Sequence, residues 1–329
     1  MPRLGGASCL ALPVYEQERG VRILLVGCSG FVGRALVPLL LQHGHQPTLV
    51  SRSPQPLPGL QHDQLTRLQA NPADPASWQQ PALQQALAAA EAVVNLAGEP
   101  IAEKRWTPTH LQLLQDSRIL TTRALVQALA ALPAGQGPTV LLNGSAIGYY
   151  GTSPRQTFTE ASPAGSDVLG RLCQAWEAEA QAAAPRCRVV IVRIGIVLGG
   201  DGGALGKMLP VFRLGFGGPI GDGQQWMSWI SRYDLCQLIA QALENPAYAG
   251  TYNAVAPEAC SMASFAAALG RCLGRPSLLP VPGPLLQLLL GDGAKVVLEG
   301  QRVLPERLQQ QGFAFRDGQL SAALAAATS

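Results

Sequence analysis

The chain has 329 residues, 47% of them hydrophobic, and a formal net charge of +3 with no long run of one sign. It is long enough to bury a sizeable core and offers no basic face that would make nucleic acid its main partner. Seven scattered cysteines (Cys9, Cys28, Cys173, Cys187, Cys236, Cys260 and Cys272) form no C-x-x-C pair, and the four histidines make no ligand-spaced cluster with them, so neither a disulfide framework nor a metal site is indicated.

In chain order, residues 1–20 lack the apolar h-region of a signal peptide and read as a loose extension. VRILLVG (21–27) is a continuous apolar run ending in glycine, as suits a strand buried on both faces of a parallel sheet. FVGRALVPLLLQHG (31–44) has helical spacing and a terminal glycine placed for a C-cap, and QPTLVSR completes a strand–helix–strand unit. The alternation continues through a helix near 75–90, a strand at 91–98, a long helix over 107–132, a strand at 138–146, a helix near 166–184 and a strand at 187–195. This pattern predicts an α/β fold: a Rossmann-type, doubly wound parallel sheet.

After Gly195 the texture changes to glycine-rich segments and proline-bounded helices. The expected organisation is a Rossmann domain over 21–255 with a lobe insertion at about 196–226, and a smaller C-terminal lobe over 256–329 that closes on a ligand beyond the strand ends. The apolar segment 278–291 carries three prolines and is too short to span a bilayer. A cytoplasmic protein without a transmembrane segment is expected.

Gly27, Gly30 and Gly33 form G-x-x-G-x-x-G between the first strand and helix, where glycine permits a tight turn and close approach of a pyrophosphate to the helix N-terminus. At the end of the second strand, where an NAD-preferring protein offers Asp or Glu to the ribose, this chain has Ser51-Arg52-Ser53. An arginine there can pair with a 2′-phosphate, which favours NADP(H) over NAD(H).

These features resemble the short-chain dehydrogenase/reductase superfamily in its extended, epimerase/dehydratase-like form: the glycine motif, Asn95-Leu96-Ala97-Gly98 as its N-x-A-G turn, and Ser145 after the fifth strand. NLAGEPIAEKRWT, GSAIGYYG, LCQAWEAEA and RVLPERLQQQGFAFR resemble one atypical branch with a C-terminal domain of unknown function, often labelled cell-division-inhibitor-like. The resemblance covers roughly 21–327. It implies pyrophosphate-side contacts at Gly27, Ser29, Gly30, Phe31, Val32 and Gly33, with Arg52 at the adenosine ribose. It also implies cofactor-lining roles for Leu96, Ala97 and Gly98, with Arg193 and Gly195 near the nicotinamide. The helices over 107–132 and 166–184 correspond to helices that often pair in family homodimers.

The superfamily's usual acid/base pair, Tyr with Lys four residues later, is absent. None of the six tyrosines is followed at that spacing by one of the three lysines (Lys104, Lys207, Lys295), and Val168 and Leu172 hold the corresponding places. An aliphatic pair cannot transfer a proton. Ser145, Tyr149 and Tyr150 remain as catalytic candidates, although shaping the pocket wall is the favoured reading of the two tyrosines. Trp106, Trp226, Trp229 and Met227 are expected in the pocket or between the lobes, Trp176 in the core, Glu160 and Lys207 as solvated or capping residues, and Asp234 as a helix N-cap. Two functions are therefore carried forward: an NADP(H)-dependent oxidoreductase or epimerase acting on an unidentified small molecule, and a non-catalytic dinucleotide-binding regulator or scaffold, linked to division.

Overall fold

Arg22–Val26 (β1) is apolar on both faces and buried from Ile23 onward, so it can lie only inside a sheet covered on both sides. The computed structural model describes residues 20–55 and 59–329, and the expected extension, apart from Gly20, lies outside the described residues. Six further strands join β1 in one parallel sheet: β2 (Gln46–Ser51), β3 (Thr66–Gln69), β4 (Ala92–Asn95), β5 (Val140–Ala146), β6 (Arg188–Ile194) and β7 (Gly250–Ala254). Their order is β7-β6-β5-β4-β1-β2-β3, all in parallel register. The winding reverses between β1 and β4, the switch point at which ligands bind in open α/β sheets.

One face is covered by α1 (Gly33–Gln42), through Leu36, Val37 and Leu40, and by a helix at Arg232–Glu244, through Leu235, Leu238 and Ile239. The other face receives Leu83 and Leu87 of α2 (Pro81–Ala89) and Leu125 and Leu129 of α3 (Pro108–Ala131), with α4 (Val168–Gln181) packed beside α3. The single helix expected near 75–90 is interrupted: Pro75–Gln79 is a 3-10 turn, Gln80 is extended, and α2 restarts at Pro81. A proline has no N–H for the preceding turn and disfavours helix in the residue before it.

Beyond the sheet, Ile196–Leu198 pairs with Trp229–Ser231, and Trp226–Met227 with Cys260–Ser261. Around them α5 (Gly203–Arg213), α7 (Met262–Leu273) and α9 (Leu320–Thr328) share a core of Leu205, Leu209, Phe212, Trp229, Phe265, Leu269 and Leu324. The helix Arg232–Glu244 (α6) and α8 (Gly283–Leu290) complete the longer helices. Trp229 and Met227 belong to this core. No helix among the described residues is long and apolar enough to cross a membrane.

The capping of α6 corrects the sequence reading. Ser231 is the N-cap, accepting from the Asp234 N–H at 3.0 Å. The buried Asp234 carboxylate instead accepts the Arg316 and Asp317 N–H groups at 3.0 Å each, tying the C-terminal segment to the sheet domain. At the other end of α6, Glu244 accepts from His45 Nε2 at 2.8 Å. His45 takes the Val21 N–H on Nδ1 at 3.2 Å, so its proton sits on Nε2.

This His45 bond, aided by His43, holds the Glu244 carboxyl below its ordinary 4.5. A depressed acid contributes stability that is present above its unfolded value and lost as pH falls through the folded one. Replacement Glu244→Gln should therefore flatten the loss of stability below about pH 4.5 in urea titrations while costing under ~1 kcal/mol at pH 7, the pair being partly exposed. An unchanged acid limb would contradict this.

Candidate functional site

The turn from β1 into α1 is dictated by two close approaches. Gly27 has φ +74°, and a Cβ there would lie 2.3 Å from the Ala97 backbone. At Gly33 a Cβ would lie 1.8 Å from the Cys28 carbonyl. Gly30, by contrast, faces open space with no atom within 4 Å of a Cβ. No side chain caps the N-terminus of α1 and no acid lies in its first turn, so its positive dipole end suits an anion. The Phe31 ring lies under the Arg232 guanidinium (4.6 Å) and against Gly199, Gly202 and Gly203. Arg232 is anchored by Asp201 at 2.7 Å. Burial disfavours the Asp201 charge, but that contact outweighs it and holds the acid low.

Arg52, at the end of β2, is exposed and has no carboxylate within 4.0 Å among the described residues. Next to the glycine turn, Asn95 locks the turn that carries Leu96, Ala97 and Gly98. Its Oδ1 accepts the Ala97 N–H (3.2 Å), while its amide donates to Thr122 of α3 (2.9 Å) and Asn143 of β5 (2.7 Å). Asn95, Thr122 and Asn143 are fully buried, so each unmade bond would leave a costly orphan.

Beside this switch point, at the ends of β5 and β6, lies a mainly apolar cavity of about 330 Å³. Ala146–Gly148 and Ile194–Ile196 form its floor, α4 contributes Val168, Leu169 and Leu172, and Trp106 and Trp226 close its sides. Val168 and Leu172, which replace the expected Tyr and Lys, thus wall the cavity. Gly195 lines it and donates its N–H to Ala254.

Beneath the cavity floor the polar candidates form a buried chain. Ser145 donates to Glu177 at 2.6 Å, and Glu177 receives both Nε and Nη2 of Arg193 at 2.8 Å. Arg193 donates to the Tyr150 hydroxyl (2.9 Å), which donates to Asn253 (2.7 Å). Tyr149 lies across Arg193, its ring centroid 3.3 Å from the guanidinium carbon. Burial pushes the Tyr150 phenol up to about 12 despite Arg193, so it holds its proton at neutral pH. Burial also opposes the Arg193 charge, but the Glu177 bonds outweigh it and raise the guanidinium's affinity for its proton.

Ser145, Tyr150 and Arg193 are therefore brought together, with Tyr149 against them, but none is part of the cavity wall. Glu160 accepts N–H groups from Asn253 and Arg307. Lys207 pairs with Glu103 at the surface, and Trp176 is buried with its indole N–H on Thr122. His43, His45 and Glu244 place ligand atoms within 4.8 Å, yet a protonated His45 Nε2 offers no lone pair to a metal.

A parallel sheet with a glycine turn at its switch point, and a second lobe over an apolar cavity beside it, defines a Rossmann-type α/β protein. The chain belongs to the NAD dependent epimerase/dehydratase family, whose model matches residues 23–255, and a domain of unknown function (DUF1731) matches 281–327. It is 41% identical over 316 residues to an epimerase family protein, the SDR39U1 homolog of Arabidopsis thaliana named as chloroplastic, covering 95% of this chain and 88% of the relative. The crystal structure of human epimerase family protein SDR39U1 (isoform 2) with NADPH is 38% identical, with a TM-score of 0.83 over 93% of this chain and 98% of that one. A UDP-glucuronic acid 4-epimerase from Bacillus cereus, 17% identical with a TM-score of 0.73 over 93% of this chain and 97% of that one, shares the fold.

Sequence reasoning missed Glu177, Asn253 and Arg118 of α3. Arg118 falls on the buried stripe Leu114, Thr121, Thr122, Leu125 and Leu129, a signal that helical periodicity carries. Replacing Gly33 with Ala should destabilise the fold by several kcal/mol or prevent folding, because the clash is with backbone. A variant melting within a degree of the parent would refute this account of the turn.

Proposed function

We propose that this chain is an NADP(H)-binding oxidoreductase or epimerase-like protein acting on a small molecule held in the 330 Å³ cavity. The observation that carries the reading is the juxtaposition of an uncapped helix N-terminus at a glycine turn, an acid-free Arg52 and an apolar cavity at neighbouring strand ends. The residues fit the dinucleotide: Gly27, Ser29, Gly30, Phe31, Val32 and Gly33 would hold its pyrophosphate and Arg52 a 2′-phosphate, Leu96, Ala97 and Gly98 would line it, and the segment of Arg193 and Gly195 would lie near its nicotinamide. The NADPH in the human relative's structure supports the same cofactor. When bound, the cofactor supplies a hydride donor or acceptor.

The chain's own residues then position substrate and exclude water. Val168 and Leu172 move no proton, and the Ser145 hydroxyl already donates its hydrogen bond to Glu177. Of the two tyrosines, Tyr150 has its hydroxyl on the Arg193 guanidinium at 2.9 Å but is held protonated by burial, while Tyr149 stacks its ring on the same guanidinium. The absence of the usual pair also favours a second reading, a dinucleotide-dependent regulator. That reading requires a partner whose affinity differs with and without NADPH.

Titration with NADPH and NADH, followed by nicotinamide fluorescence and thermal stability, tests the cofactor reading. Arg52→Ala should weaken NADPH roughly tenfold or more and leave NADH unchanged, as loss of a charge-assisted contact predicts. Because Gly30 faces open space, Gly30→Ala should leave unliganded stability within about 0.5 kcal/mol and still impair both nucleotides. No binding of either nucleotide would overturn the reading. NADPH oxidation with a carbonyl or sugar-nucleotide panel would separate enzyme from regulator.

A further inference from the structure

Two arginines are buried beside the site, and only one has a counter-charge. Arg193 is neutralised by Glu177. Arg118 is 8% exposed, rests on the Trp176 ring at 5.3 Å, and gives Nη1 to the Leu114 carbonyl (3.0 Å) and Nη2 to the Glu99 carbonyl (2.9 Å). Among the described residues no carboxylate lies within salt-bridge distance of it, and the Glu99 carboxylate turns instead to Lys104 at 3.3 Å. Burial accordingly penalises the Arg118 charge, and a buried cation without a partner is expensive to keep.

Arg118 lines the cavity, and it is the buried charged side chain of its wall; Asp167, Asp292, Lys295 and Glu299 are exposed. Most of the other polar groups of the wall are already used. Ser228 bonds Gln301 and Val303, Gln301 bonds Ile147, and Thr152 bonds Glu299. Asp167 caps α4, and the Trp106 and Trp226 indoles bond backbone carbonyls. A ligand here meets an apolar surface and one buried, unneutralised guanidinium, with the exposed Asp292, Lys295 and Glu299 at the rim.

We propose that Arg118 is the anion anchor of this cavity and that the ligand is a small, mainly apolar monocarboxylate. The proposal rests on the cavity being the substrate site beside the dinucleotide. The guanidinium fork suits a carboxylate, which can take the Nε–H that makes no bond within the described residues. A nucleotide sugar fits poorly: its pyrophosphate needs more than one cation, whereas the second cation of the lining, Lys295, is exposed at the rim, and its hydroxyls need partners that the buried wall has largely committed. A volume of about 330 Å³ also lies at the small end of the ~300–1,000 Å³ typical of ligand pockets.

The test is calorimetric titration of the full chain, with and without NADPH, using straight-chain acids from butanoate to decanoate, 4-phenylbutanoate, the matching amides, and hexyl phosphate. At least one acid should bind tenfold or more tightly than its amide. Arg118→Met should erase that difference, and Arg118→Lys should keep part of it. Binding of no acid, equal binding of acid and amide, an acid preference that survives Arg118→Met, or tighter binding of hexyl phosphate than of hexanoate would overturn the proposal. The acid-to-amide ratio of the unaltered chain decides the matter even if the variants do not fold. Failure of NADPH alone to bind would fall on the cofactor reading, because the acid series is also run without it.

Discussion

The Glu177–Arg193 pair is the constraint on which the rest of the site depends. Two charges removed from water cost several kcal/mol each and persist only when paired and fully hydrogen-bonded. Here the pairing is bidentate, with Ser145 completing the carboxylate and Tyr150 the guanidinium. The pair fixes α4 against β5 and β6. Through Tyr150 and Asn253 it reaches β7, and the Asn253 amide continues to the Leu304 carbonyl of the C-terminal segment. The cavity floor at Ala146–Gly148 and the wall at Val168–Leu172 therefore hang on one charged contact.

That network also changes what the site can do. A superfamily site of the usual kind keeps Tyr, Lys and Ser facing substrate, whereas this chain turns Ser145 toward Glu177 and lines the vacated helical turn with aliphatic side chains. The result is a mainly apolar pocket beside a dinucleotide-type turn. The unpaired charge of Arg118 stands out against that background, since the other charged groups of the wall are exposed.

Much of the fold was legible in the chain. The apolar runs of β1, β2, β4, β5 and β6 end at the glycine, serine or asparagine that carries the site, and burial on both faces makes such runs conspicuous. β3 was missed because Thr66–Gln69 is short, polar and at the sheet edge, where no apolar run is required. At α6 the sequence Ser231-Arg232-Tyr233-Asp234 is a serine cap with an acid three residues on, and choosing the acid displaced the cap by one turn. In the site, the glycine turn was legible from steric demand. Glu177 and Arg118 were not, because charged residues on helices ordinarily face water. Both lie on buried faces, Glu177 between Cys173 and Ala180 and Arg118 between Leu114 and Thr122, so helical phase was the available signal and residue type obscured it.

The most direct test of this account is a double-mutant cycle on the buried pair, with Glu177→Leu, Arg193→Met and both together measured by urea unfolding. Each single change should cost about 3–5 kcal/mol by stranding the remaining charge, and the double variant should recover a large part of that loss. Single effects that are small, or that simply add in the double variant, would contradict the claim that this ion pair holds the site together.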